Sequence, residues 1–166
     1  MSEKSHESKR VASAACAVVT ISDTRTPETD QGGLLVVEQL QSGGHRVIAH
    51  DIIPDDIDRI RQQVDSLCAQ NYDVIVLTGG TGIAPRDHTY EALFPLLEKR
   101  LDGFAELFRM LSFEEIGPAA MLSRALGGIR GKALIFSLPG SPKGVRLAME
   151  RLILPVLPHA VGLLRT

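Results

Sequence analysis

Residues 73–91 read DVIVLTGGTGIAPRDHTYE, and this stretch decides the fold. Asp73 to Leu77 is a short apolar run rich in β-branched residues, the composition of a buried strand. It runs straight into Thr78-Gly79-Gly80-Thr81-Gly82. Glycines lacking a Cβ let a backbone turn sharply and leave its N–H groups uncovered. The hydroxyls of Thr78 and Thr81 add donors. Arg86, Asp87 and His88 follow, and a helix is predicted from about Thr89. Strand, glycine loop and helix start, in that order, make an anion site at the carboxyl end of a parallel sheet. A tight strand-to-helix turn without a ligand would use the same residues. The loop is not a Walker A motif, because no Lys-Ser/Thr follows its last glycine. It is not G-x-G-x-x-G either, because Pro85 stands where the third glycine belongs.

Working outward, the 166 residues suffice for one domain with a proper core. A net charge of −2 argues against a nucleic-acid or membrane surface. Tryptophan is absent and aromatics are 4%, which argues against a base-stacking platform. Cys16 falls in a predicted strand and Cys68 on the apolar side of a predicted helix, so both read as buried thiols of a reducing compartment. No Cys/His metal-ligand spacing occurs. Residues 1–20 resemble a signal peptide, but Glu3 and Glu7 spoil its basic region and the apolar run continues into Ile21 as a strand. The expectation is a disordered tail over 1–12, a single domain over 13–166, a cytoplasmic location and no run long enough to span a membrane.

In chain order, Ala14 to Ile21 is the first strand. Ser22 to Gly33 is a long polar loop, either solvated or a ligand rim. A helix to Ser42 carries Leu34, Val37 and Leu40, and Gly43-Gly44 stops it. Arg46 to Ile53 is the second strand. Pro54-Asp55-Asp56 leads into a helix with Ile57, Ile60, Val64 and Leu67 at helical spacing. Asp55 stands where an N-cap would, and local pattern alone favours that reading; Asp87 has the same ambiguity. Tyr90, Leu93, Phe94 and Leu97 form the next apolar face, and Phe104, Leu107, Phe108 and Leu111 another. Arg124 points either to solvent or into a site. Gly127-Gly128 and Gly131 mark turns around an edge hairpin. Ala133 to Leu138 is the last strand and ends in Pro139-Gly140-Ser141-Pro142-Lys143-Gly144. Pro155 and Pro158 interrupt the helix that follows, leaving a short final one.

The alternation predicts an α/β fold: a three-layer, doubly wound, mostly parallel sheet with helices on both faces. Ligands of such sheets bind outside the strands' carboxyl ends. Ser22-Asp23, Thr78–Gly82 and Gly140-Ser141 then line one crevice, with Asp55 and Asp87 at its rim.

These blocks, taken together, carry a resemblance. Leu77-Thr78-Gly79-Gly80-Thr81-Gly82 with Arg86-Asp87 resembles the molybdopterin-binding domain of molybdenum-cofactor biosynthesis proteins. Ser22-Asp23, Pro54-Asp55 and Leu138-Pro139-Gly140-Ser141-Pro142-Lys143 match its other blocks, in order, from about residue 13 to the end. Met110-Leu111-Ser112-Phe113-Glu114-Glu115-Ile116-Gly117 is similar to the B-type branch, and the chain's end also to gephyrin-like G domains. The resemblance implies trimers or trimer-based hexamers. It implies molybdopterin as ligand and, in catalytic members, transfer of AMP from ATP to the molybdopterin phosphate with Mg²⁺, releasing pyrophosphate. The positions matching Asp55 and Asp87 are the catalytic, metal-holding carboxylates there. Some B-type members lack parts of the Arg-Asp pattern and do not catalyse; this chain keeps it. Thr89-Tyr90-Glu91 departs from the Thr-Pro-Glu of many catalytic members.

The chemistry that this implies needs no Ser-His-Asp triad, because a phosphate oxygen is already anionic at neutral pH. Its obstacle is repulsion between two phosphates, which a divalent cation relieves. Mg²⁺ takes hard oxygen ligands, as Asp55 and Asp87 offer. Backbone amides at Gly79–Gly82, with Thr78 and Thr81, suit phosphate oxygens. Ser22, Asp23, Pro139, Gly140 and Ser141 suit the pterin or nucleotide, and Lys143 or Arg86 would offset ligand charge. A binding protein that holds molybdopterin without chemistry is the alternative expectation, and a phosphate-binding domain used only for assembly is a third.

Overall fold

The structure, a computed structural model, describes residues 10–166. The predicted tail over 1–12 therefore lies outside the described residues as far as position 9. Val11 is described: its N–H donates to Pro158 O at 3.0 Å, and its side chain packs against the core.

Six strands form one sheet: β1 (Ala15–Ile21), β2 (Arg46–Ile53), β3 (Val74–Thr78), β4 (Lys99–Arg100), β5 (Leu126–Arg130) and β6 (Ala133–Leu138), in the order β2-β1-β3-β6-β5-β4. The pairs β1–β2, β1–β3 and β3–β6 are parallel, whereas β5 runs antiparallel to both β6 and β4. Central strands alternate between two cores. Cys16 and Val18, Val74 and Val76, and Leu134 and Phe136 face one side; Ala17 and Val19, Ile75 and Leu77, and Ile135 face the other. Both sides are apolar because helices cover both.

The first face is covered by α1 (Gln31–Ser42), α4 (Asp102–Ile116) and the C-terminal helix. The second is covered by α2 (Ile57–Ala69) and α3 (Thr89–Leu93). The chain leaves β1 toward β2 through α1 and returns through α2 to β3 on the other side of β1. That reversal opens the carboxyl ends of β1 and β3 as a crevice. The sheet is the doubly wound, mostly parallel one expected.

Several local expectations change. The buried residues of α1 are Leu35, Val36 and Leu40, while Leu34 is exposed. Gly32 and Gly33 are also buried, and a Cβ on Gly32 would lie 2.5 Å from Gly140 O. This close backbone approach sets the inward face, so the largest side chains do not. Pro95 ends α3 within a single 3₁₀ turn, Phe94–Leu96, and frees Lys99–Arg100 to pair with β5. Leu107 points outward from α4, whose core face is Phe104, Phe108 and Leu111. Gly127 and Gly128 lie inside β5; only Gly131, at φ +60°, makes the hairpin turn.

The prolines do not break the last helix. It runs from Pro142 to Leu164 as α5 (Pro142–Ala148), a π-helical segment (Met149–Ile153) and α6 (Leu154–Leu164). At 23 residues, with an 18-residue window of mean hydropathy 1.5, it reaches the length and apolarity of a membrane span, contrary to the expectation that no run would. Met149, Ile153, Leu157 and Val161 are all buried against the sheet. Burying a side chain of this size contributes about 1.5–3 kcal/mol. Four of them outweigh the roughly 3 kcal/mol that an interior proline such as Pro158 costs.

Asp55 is not the N-cap of α2. Asp56 is: its carboxylate accepts the Arg59 N–H at 2.9 Å. Asp56→Ala should lower stability by about 1 kcal/mol, read from the urea midpoint.

Candidate functional site

The cradle begins where β3 ends. Gly79 continues the ladder, its N–H donating to Leu138 O at 2.9 Å, but its φ of +97° turns the chain out of the sheet. A Cβ on Gly79 would collide with Ile21 O, so the ends of β1 and β3 meet at a distance only glycine allows. Gly80 follows at φ +68°. Thr89 Oγ1 donates to Gly79 O at 2.9 Å and Thr89 N to Gly80 O at 3.2 Å, fixing the loop to α3. Among the described residues, the amides of Gly80, Thr81 and Gly82 donate to no protein group.

Two clefts meet at this cradle. The first, about 430 Å³, is lined by Gly80, Thr81, Gly82 and Asp87 on one side, and by Pro139, Gly140, Ser141 and Lys143 on another. Its apolar wall is Phe108, Ile116, Ala120, Leu122 and Leu147, with Ser112 and Glu115 beside them. The second, about 380 Å³, is lined by Thr20, Ser22, Asp30, Gln31, Gly32, Thr78 and Gly79, and shares Gly140 and Ser141 with the first. Each is of a size that takes a small ligand.

Asp55 lines neither cleft but lies against the cradle. Its Oδ1 accepts the His88 N–H at 3.1 Å, while Oδ2 sits where a Cβ on Gly80 would come within 2.5 Å. No donor among the described residues reaches Oδ2. Burial raises the Asp55 pKa above the ordinary carboxylate range, and the neighbouring Asp87 and Asp23 carboxylates add to it, against the His88 amide. Asp87 Oδ2 accepts the Ala84 N–H at 2.9 Å and would meet a Cβ on Gly82 at 2.8 Å.

Asp23 and Arg86 pair with each other. Both Nε and a terminal nitrogen of Arg86 reach Asp23 Oδ2, at 2.8 and 2.6 Å, and Asp23 Oδ1 accepts the Asp55 N–H at 3.2 Å. The Arg86 hydrogen bonds hold the Asp23 carboxyl below its usual range. Neither residue lines either of these two clefts. Ser22 Oγ accepts from Thr24 N and Arg25 N, and Ser141 caps α5 by accepting from Gly144 N at 3.2 Å. Lys143 has no partner among the described residues and lines the first cleft.

Sequence reading gave no individual role to Thr20, Asp30, Ser112 or Glu115. Asp30 is 2% exposed; it accepts from Gly33 N at 2.9 Å and from Thr20 Oγ1 at 2.5 Å, and pairs with His50 Nε2 at 3.0 Å. A carboxylate before Gln31-Gly32-Gly33 was the one available signal. Among the described residues, no group of three or more His, Cys, Asp or Glu is placed to hold a metal.

Free amides at a topological switch point, with two clefts meeting on them, make this an α/β protein of the doubly wound class, with the geometry in which such sheets receive anionic ligands. Residues 17–159 match the family described as a probable molybdopterin binding domain, and the chain belongs to that family. It is 49% identical over 161 residues to molybdenum cofactor biosynthesis protein B of Bacillus cereus, covering 96% of this chain and 95% of that one. A crystal structure of a molybdenum cofactor biosynthesis protein B superposes with TM-score 0.89 at 50% identity, covering 92% and 96% of the two chains. The molybdopterin biosynthesis enzyme MoaB of Thermus thermophilus superposes at 0.81 with 39% identity, covering 91% and 96%.

The raised pKa of Asp55 has a sign that can be tested. Its folded value lies above its unfolded one, so its contribution to stability is greatest below about pH 4 and is lost as pH rises through the folded value. Asp55→Asn keeps an acceptor for the His88 N–H. Without divalent cations it should therefore raise Tm relative to wild type at pH 7–8, by about 2–4 °C per kcal/mol gained, and the difference should vanish near pH 4. Gly80→Ala, with a Cβ against Asp55 and Thr89 at positive φ, should lower stability by about 2 kcal/mol or more in the same melts.

Proposed function

We propose that this protein adenylylates molybdopterin: an oxygen of the terminal phosphate attacks the α-phosphorus of ATP. One P–O bond forms to that oxygen, the bond from the α-phosphorus to the pyrophosphate oxygen breaks, and pyrophosphate leaves. The observation that carries this reading is the meeting of two clefts across Gly79–Gly80 and Gly140–Ser141, beside a carboxylate oxygen that no protein group satisfies. Two substrates in adjoining clefts would bring their phosphates together over the free amides. Proximity of this kind supplies much of the catalysis in phosphoryl transfer.

Asp55 and Asp87 suit a Mg²⁺ ion. Oδ2 of Asp55 lacks a donor, and the Asp87 carboxylate adds to the cost of ionising Asp55, which a divalent cation would relieve. When bound, the ion would neutralise and orient the phosphates. Amides of Gly80, Thr81 and Gly82 would bind phosphate oxygens, with Thr78 and Thr81 adding hydroxyl contacts. Lys143 would offset charge in the first cleft. The apolar wall of Phe108, Ile116 and Leu122 would exclude water from a planar ring.

The second reading is a carrier that holds molybdopterin without chemistry. The Asp23–Arg86 pairing favours it, since it leaves Arg86 engaged with protein. Self-association into trimers or hexamers belongs to either reading and is supported by exposed apolar residues along α4 and the turn after it: Leu107, Met110, Phe113, Ile116 and Met121.

Single-turnover reaction of the protein with molybdopterin, Mg²⁺ and labelled ATP should yield adenylylated molybdopterin and pyrophosphate. Asp55→Asn and Asp87→Asn should each reduce the rate by about 100-fold or more while still folding. Wild type that binds molybdopterin and forms no product would leave the carrier reading.

A further inference from the structure

Arg124 lines neither cleft, yet more of the cradle hangs on it than on any residue that does. Its backbone N–H donates to Thr81 O at 2.8 Å. Its side-chain Nε donates to Gly82 O at 2.9 Å, and one terminal nitrogen to Asp87 O at 3.0 Å. Both terminal nitrogens reach the Glu91 carboxylate in α3. The guanidinium lies over the Tyr90 ring, 5.4 Å from its centroid. A planar fork with donors on three nitrogens can span two carbonyls and a carboxylate at once, whereas an ammonium offers its three donors from a single point.

The span of these contacts gives them meaning. Gly82 O and Asp87 O stand at the two ends of the turn that carries Asp87, a residue lining the first cleft. Glu91 anchors the clamp to the helix that follows, and the Arg124 hydrogen bond holds the Glu91 carboxyl below its usual range. Arg124 itself sits just before β5, after the 3₁₀ turn Gly117–Leu122 that forms part of the cleft's apolar wall. We infer that Arg124 is a positioning residue: it fixes the Gly82–Asp87 turn against the opposite wall of the first cleft, so that Asp87 and the free amides face the ligand together. The catalytic consequence rests on the adenylyltransferase reading; the positional one does not.

Hydrogen exchange on the full chain tests the position. In Arg124→Met, the amides of Ala84, Asp87, His88 and Thr89 should exchange at least about tenfold faster, while those of β1 and α2 stay within about twofold of wild type. Arg124→Lys should fall between the two. Glu91→Gln, which leaves Arg124 and its carbonyl contacts in place, guards against a variant that fails to fold and should loosen the same four amides by a smaller factor. Unchanged exchange in the turn, or a rise spread evenly over the molecule, would overturn the inference. If wild type adenylylates molybdopterin, Arg124→Met should lower kcat by about 30- to 100-fold with KM for molybdopterin moved less than about threefold. Wild-type kcat in that variant would overturn the catalytic part. If wild type forms no product, the adenylyltransferase reading fails and exchange alone decides the position.

Discussion

The tightest constraint in this molecule is the approach of backbone to backbone at the ends of β1, β3 and β6. Gly79 passes against the Ile21 carbonyl, and Gly32 against that of Gly140. A side chain at either place would force the strand ends apart. With them apart, Gly140 and Ser141 would no longer be shared by both clefts. The sheet's apolar faces hold the strands together along their length, and the glycines let their ends converge.

Convergence brings charge with it. Asp23, Asp55 and Asp87 come from three different loops and crowd one small region. Protein groups answer part of that charge: Arg86 takes Asp23, and backbone amides of His88 and Ala84 take one oxygen each of Asp55 and Asp87. The oxygen left over on Asp55 faces Gly80, where a Cβ would otherwise stand. A buried carboxylate arranged in this way costs stability in the free protein, which is the usual mark of a group kept for binding rather than for folding.

Much of this was legible in the sequence. The run from Asp73 through Gly82 gave the strand and the glycine turn whose amides stay unbonded, and the alternation of elements gave the layered sheet. Helix faces were harder to read, because periodicity ranks residues by size and apolarity. In α1 the inward face was set by Gly32, which had to approach the Gly140 backbone, and by Gly33, packed under the Asp30, Thr20 and His50 side chains. Asp55 and Asp56 are adjacent and chemically alike, and nothing local says which one caps the helix. The answer comes from the His88 amide, which arrives from another loop and takes Asp55. Arg124 was unreadable for the same reason, since the partners of its side chain lie 33–42 residues away in the chain. The last helix was misjudged because proline's local cost is visible in sequence and the burial that offsets it is not.

That last helix also fixes an order of events during synthesis. β3 lies between β1 and β6, and one of the two cores needs Met149, Ile153, Leu157 and Val161 to close it. Until those residues have left the ribosome, β1, β2 and β3 can pair, but the first face has only α1 and α4 to cover it. The N-terminal Val11 finds its partner, Pro158, only at that late stage. The nascent chain thus carries an incompletely covered apolar sheet face until the last helix is made, a natural target for chaperones that recognise exposed hydrophobic surface.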